Sequence, residues 1–264
     1  LKVVGHIPSK CLIEDRERIK RTVSWGIGVE LQISSRVMDM LSLEEFCLIA
    51  EMVKGKVVTF HAPFLDLNPG ALDSYVLDAT RRRFLEMKPL VRIFSPEVIV
   101  FHTGFHPDKT AHAYEDWLLR SVETFKIVSF ELETKIALEN VFDTDTTPLS
   151  DLIERLPSNV GVCIDVGHLN LFSTVPVGTW IETFKERIFE FHVHDNNGMK
   201  DEHLSIGKGS IDFESFFSII DSLNSEYILT LEAKREKEQL DSLNYIKKRR
   251  LKIEQSAGNK SLSR

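Results

Sequence analysis

Six short apolar stretches of this sequence each stop on an imidazole or a carboxylate: Val57-Val58-Thr59-Phe60-His61, Val98-Ile99-Val100-Phe101-His102, Ile136-Ala137-Leu138-Glu139, Val162-Cys163-Ile164-Asp165, Phe189-Glu190-Phe191-His192 and Ile228-Leu229-Thr230-Leu231-Glu232. A nearly continuous, β-branched apolar run is what a strand buried on both faces requires. His168, Asp201 and His203 follow two of these runs, so nine residues able to bind a metal lie at or just past strand ends. Carboxylates are depleted in buried strands and costly there unless paired or metal-bound, so ending three strands on Glu139, Asp165 and Glu232 calls for a cation. A single histidine at a strand end is more often merely hydrogen-bonded; it is the repetition that carries the metal reading.

Eight strand-like runs can be counted: Val3 to Ile7, Ile27 to Ile33, Val57 to His61, Val98 to His102, Ile136 to Glu139, Val160 to Asp165, Ile188 to His192 and Tyr227 to Glu232. They alternate with helical patterns, which predicts an α/β fold of repeated βα units, and eight of them close a single (β/α)8 TIM barrel. The length of 264 residues suits one such domain, expected over residues 1–254. Beyond Ile253 periodicity and apolar content fade, so residues 255–264 are expected to form a disordered tail. Helical spacing places Val76, Thr80, Phe84, Met87 and Val91 on one core face, and Leu118, Val122, Phe125 and Val128 on another. Asp212 before Phe213-Glu214-Ser215 has the form of a helix N-cap.

Lys and Arg total 33 against 40 Asp and Glu, a formal charge of −7, so net charge does not advertise a nucleic-acid partner. Three well-separated cysteines, Cys11, Cys47 and Cys163, suggest neither a disulfide framework nor a thiolate zinc site, and fit a reducing cytoplasm. No apolar run approaches the ~18 residues of a membrane span, so no membrane partner is expected. The oligomeric state is left open.

A barrel of this type builds its site at the C-terminal ends of its strands, where His61, His102, Glu139, Asp165, His168, His192, Asp201, His203 and Glu232 are expected to converge. Imidazoles and carboxylates without a thiolate fit Zn²⁺, Mn²⁺, Fe²⁺ or Co²⁺ better than Ca²⁺ or Cu⁺. Nine ligands exceed the needs of one ion and can serve two or three. His6, Glu30 and His194 are placed as pocket residues for substrate, and Asp195 as a carboxylate behind a histidine ligand. Gly207-Lys208-Gly209 is a weak phosphate-loop signal that makes Lys208 a substrate contact, while Arg81-Arg82-Arg83 and Lys247-Lys248-Arg249-Arg250 read as solvated helix faces.

Asp165-Val166-Gly167-His168, His192-Val193-His194-Asp195 and Asp201-Glu202-His203 resemble the motifs of the xylose isomerase-like TIM-barrel superfamily, which includes endonuclease IV. The resemblance spans nearly the whole chain. In the sugar epimerase branch it implies one Mn²⁺ or similar ion on Glu139, Asp165, His192 and Glu232, with Glu139 and Glu232 moving a proton through an enediolate. In the endonuclease IV branch it implies three zinc ions on all nine residues and hydrolysis of DNA at abasic sites. Isomerisation or epimerisation of a small sugar or sugar phosphate is the reading taken first, with DNA as partner only under the alternative. The segment His61-Ala62-Pro63-Phe64-Leu65-Asp66-Leu67-Asn68-Pro69-Gly70 also resembles loops of proteins grouped as sugar phosphate isomerases or epimerases. Gly198 stands near where epimerases carry an arginine, which counts against a tagatose-type ketose.

Overall fold

The computed structural model describes residues 2–223 and 225–261. Eight strands, β1 (Lys2–Ile7), β2 (Gly28–Gln32), β3 (Val58–His61), β4 (Val98–His102), β5 (Lys135–Glu139), β6 (Val160–Asp165), β7 (Ile188–Val193) and β8 (Ile228–Leu231), form a closed barrel in sequence order. Neighbours are parallel throughout, and β8 returns to pair with β1. The expected α/β fold, a single (β/α)8 TIM barrel, is the one observed.

Side chains of a strand alternate between its two faces, and this parity decides which residues reach the site. Ile99 and Phe101 of β4 pack outward, Phe101 meeting the rings of helical Phe84 and Phe125 at 4.8 and 6.0 Å. Val98 and Val100 therefore face inward, where they join Val4, Ala137, Cys163 and Ile228 in a small separate interior cluster. Continuing the same rows two residues on gives His102 above Val100, Glu139 above Ala137 and Asp165 above Cys163. These three candidates are thus the upper ends of interior rows that continue apolar below, whereas the rows of His61, His192 and Glu232 continue with Thr59, Glu190 and Thr230. Register sets His102 opposite Glu139 and Asp165 opposite His192 on adjacent strands.

Leu118, Val122, Phe125 and Val128 are buried along the helix Tyr114–Leu132, as their spacing predicts. The expected continuous face from Val76 to Val91 is instead divided between two helices, Ser74–Leu85 and Lys88–Phe94. Pro89 in the first turn of the second helix lacks the N–H that would extend the first through it, and Val76 is left 41% exposed while Thr80, Phe84 and Met87 are buried. Asp212 caps the helix Phe213–Ile220 by accepting from the Ser215 amide at 3.1 Å. The last helix runs Glu236–Ser261, past residue 254 where the sequence reading ends the barrel; residues 262–264 of the expected tail lie outside the described residues. Among the described residues no helix is long and apolar enough to cross a membrane.

Phe101→Ala removes a ring held between two others at the centre of the helix–sheet layer. It is expected to lower unfolding free energy by about 3–5 kcal/mol in urea titrations while leaving metal binding intact, because the cavity opens on the outer face of β4.

Candidate metal centre

Glu139 is the hub. Its Oε2 lies 3.3 Å from His61 Nε2 and 3.2 Å from His102 Nε2, while its Oε1 lies 3.4 Å from His168 Nδ1 and 3.5 Å from His192 Nδ1. His192 Nδ1 also faces Glu232 Oε2 at 3.7 Å and Asp165 Oδ2 at 3.9 Å. On the outer side Asp201 Oδ2 stands 2.9 Å from His203 Nε2 and 3.7 Å from His168 Nε2. The structure therefore brings together all nine residues expected from the sequence, in three adjoining groups that share Glu139, Asp165 and His168.

Most of the imidazoles are held from behind. His61 Nδ1 is tied to the carbonyl of Ala62 at 3.0 Å, His168 Nδ1 to that of Asn140 at 3.0 Å and His203 Nδ1 to that of Glu232 at 2.8 Å. A carbonyl only accepts, so each places the proton on Nδ1 and turns the Nε2 lone pair toward the carboxylates. His192 is oriented the other way round: its Nε2 donates to Glu30 Oε2 at 3.1 Å, which frees Nδ1. Such backing of a ligand imidazole is how metal sites fix tautomer and direction.

Two buried atoms at the centre, Glu139 Oε2 and His192 Nδ1, have no hydrogen-bond partner. An orphaned carboxylate oxygen and an orphaned ring nitrogen in the interior are costly, and a cation between the groups satisfies both. Distances of 3.2 to 3.9 Å between these donors are near the ~3.4 Å edge of a tetrahedron with metal bonds of about 2.1 Å. Charge balance argues the same way. Burial opposes ionisation of Glu139, yet His102 and His192 draw it well below the usual carboxylate range. Burial likewise opposes charging of His61 and His203, yet Glu139 raises the first to about 9 and Asp201 with Glu232 raises the second to about 9. Protons collect on the imidazoles where a cation would otherwise neutralise the acids. Burial pushes the Cys163 thiol up, and the donors that converge here are imidazole nitrogens and carboxylate oxygens.

The residues placed in a substrate pocket by sequence sit differently. Glu30 is fully buried, with Oε1 on His6 Nδ1 at 2.6 Å and Oε2 on His192, so it backs two imidazoles and meets no solvent. His6 reaches Glu232 Oε1 at 3.6 Å and keeps a small exposure at the mouth. His194 is fully buried, 3.2 Å from Asp165 through Nε2 and stacked on His203 at 3.8 Å, which makes it a neighbour of the metal groups. Gly167 permits this, because a Cβ there would fall within the His194 ring.

Lys208 is exposed, but its loop is no phosphate cradle. Asp195 consumes the amides, accepting from Gly207 at 3.0 Å, Gly209 at 2.8 Å, Ile211 at 3.2 Å and Asn196 at 2.9 Å. Asp195 thus holds this excursion in place and touches no ligand histidine. The arginine run is likewise occupied, Arg81 with Glu123 and Arg83 with Asp39.

Sequence reasoning missed Asn140, which grips Asp165 twice, donating to its carbonyl at 3.0 Å and accepting from its amide at 2.8 Å. Its place directly after Glu139 is the signal. Glu190, two residues below His192 on the interior row, was missed too; it bonds Thr59 and Thr230, and burial pushes it up to about 8.

A model of the xylose isomerase-like TIM barrel family matches residues 29–249. Among curated proteins, the uncharacterized protein MJ1311 of Methanocaldococcus jannaschii is 27% identical over 203 residues, 72% of this chain and 69% of that protein. Among solved structures, a D-tagatose 3-epimerase-like protein superposes with a TM-score of 0.84 at 20% identity, covering 97% of this chain and all (100%) of its own. The TTHB071 protein from Thermus thermophilus, solved after soaking with ZnCl2, gives 0.78 at 22% identity, covering 94% of this chain and 97% of its own. At these identities the structural likeness speaks for the fold.

Three outcomes follow from the site. Zinc must displace protons from His61 and His203, so its apparent affinity is expected to climb as pH rises toward about 9. Their raised values also stabilise the metal-free fold fully below pH 6.5, a contribution lost as pH rises through about 9. Thermal melts in EDTA should therefore fall over that window, and zinc-loaded melts should not. Asp195→Ala leaves several amides of the loop without an acceptor and is expected to cost about 3 kcal/mol, read as a lower Tm with faster proteolysis near Lys208.

Proposed function

The chain belongs to the xylose isomerase-like TIM barrel family, and on that premise we propose that it is a divalent-metal-dependent isomerase or epimerase of a sugar or sugar phosphate. The observation that carries this reading is the buried, unpartnered His192 Nδ1 facing Glu139, Asp165 and Glu232 at 3.5, 3.9 and 3.7 Å. The structural neighbours, a D-tagatose 3-epimerase-like protein and a D-psicose 3-epimerase among them, support the same class of reaction.

Glu139, Asp165, His192 and Glu232 would hold a Zn²⁺ or Mn²⁺ ion, which would supply a Lewis acid for a substrate carbonyl and its neighbouring hydroxyl. Glu139 and Glu232 are the catalytic pair. Glu139 is ringed by imidazoles, so the role of taking the proton from the carbon beside the carbonyl, leaving an enediolate, is assigned to Glu232. Return of a proton to the same carbon from the other side epimerises it; return to the adjacent carbon isomerises the sugar. His6, 3.6 Å from Glu232 and anchored by Glu30, is placed to steady a substrate hydroxyl at the mouth.

A second reading, an endonuclease IV-like zinc phosphodiesterase, is favoured by the other five ligands, because His61 and His102 face the second oxygen of Glu139 while Asp201 lies between His168 and His203. Metal analysis of the purified protein by mass spectrometry, followed by assays on ketoses, ketose phosphates and an abasic-site duplex, separates the two. One tightly held ion and sugar turnover, reduced by about 10²-fold or more in Glu232→Gln, is the expected result. Three ions, with duplex nicking abolished by the same substitution, would replace the first reading by the second.

A further inference from the structure

Beside the metal ligands lies a loop whose polarity is inverted. In the segment after β5, Asp143 is buried with its Oδ1 unpartnered, while the adjacent Phe142 is 38% exposed. The ordinary arrangement is the reverse, since an exposed carboxylate keeps its water and a buried ring leaves it. The Val141 amide donates to Asp143 Oδ2 at 3.0 Å, and this short turn fixes the acid inside and presents the ring outside.

Phe142 does not stand alone. Its ring centroid lies 5.0 Å from that of His106, on the loop after β4, and 5.2 Å from that of Phe172, at the end of the helix Val166–Phe172. Phe172 is 6.4 Å from the ring of His168, a ligand in two of the metal groups. Three successive βα connections thus contribute to a strip of rings that ends at the metal centre. Its short extent and its continuity with His168 fit part of a small molecule whose oxygens bind at the metal.

We infer that His106, Phe142 and Phe172 form a subsite for a planar aromatic ring carried by the substrate, so that the preferred sugar or sugar phosphate bears a nucleobase or an aryl group. This rests on the metal-lined mouth being the place where the substrate's oxygens bind. Ring stacking of this kind is sequence-tolerant and recognises the flat face of a base or aryl group.

The test is calorimetric titration of the zinc-loaded protein, wild type, Phe142→Ala and Phe142→Trp, with adenosine monophosphate, phenyl phosphate and ribose 5-phosphate, each with and without EDTA. Wild type is expected to bind the two ring-bearing ligands about tenfold more tightly than ribose 5-phosphate. Phe142→Ala should remove the preference and Phe142→Trp should keep it. A preference for adenosine monophosphate alone assigns a nucleobase; a preference shared with phenyl phosphate assigns any aromatic ring. Equal affinities for all three ligands, or an equal loss for all three in Phe142→Ala, would overturn the inference. A ring preference together with affinities for all three ligands that EDTA leaves unchanged would uphold the subsite while removing the metal reading on which the sugar chemistry rests.

Discussion

A carboxylate placed on the inner face of a closed barrel has no water to turn to, and Glu139 is in that position. Its two oxygens are approached by four imidazole nitrogens within 3.5 Å, and one oxygen still lacks a hydrogen bond. Neutralising that charge organises everything around it. The histidines must present bare nitrogens to the centre, so their opposite nitrogens need fixed acceptors, and the backbone at Ala62, Asn140 and Glu232 supplies them. For His192 the acceptor is a second buried acid, Glu30. The site is therefore two layers deep, and the lower layer is as polar as the upper.

The same economy of polar groups explains the excursion between β7 and β8. His203 adopts a positive φ of 51°, which a non-glycine residue holds only under constraint. The constraints are visible: its ring is tied to the Glu232 carbonyl, its own carbonyl accepts from Lys234, and the bridge between Asp195 and Leu204 anchors the segment beside it. Asp195 then gathers the amides of residues 207, 209 and 211. Gly209 is needed there because a Cβ would strike the Asn196 carbonyl and the Asp195 carboxylate. A glycine-rich turn that looks ready for a phosphate is already filled by the protein's own anion.

Much of this was legible in the sequence because two signals are local. Strands buried on both faces write themselves as unbroken apolar runs, and ligands at strand ends interrupt those runs with residues that do not belong in a core. What stayed hidden depends on parity and on partners distant in sequence. Glu30 and His194 look like pocket residues in a string of letters, yet the inward rows bury one beneath His192 and the other behind Asp165. The role of Asp195 required knowing that the chain returns upon itself twelve to sixteen residues later. The helix break before Pro89 was readable, but the regular apolar spacing across it carried the expectation. The inverted loop at Phe142 and Asp143 gives no periodic signal at all, since only burial tells which of two neighbours faces out.

The double allegiance of Glu139 also bears on how far the two chemistries proposed for this face could coexist. With a cation only among Glu139, Asp165, His192 and Glu232, the second oxygen of Glu139 would remain beside His61 and His102, at 3.3 and 3.2 Å, with those two imidazoles left to balance its charge. A further cation held by His61 and His102 would draw on the same carboxylate and would lower the capacity of Glu139 to accept a proton from carbon. Proton transfer would then fall to Glu232 alone, and a reaction requiring a base on each side of the substrate could not proceed. On the proposed reading, the two chemistries would therefore compete for one carboxylate, and occupancy of the His61–His102 position would decide between them.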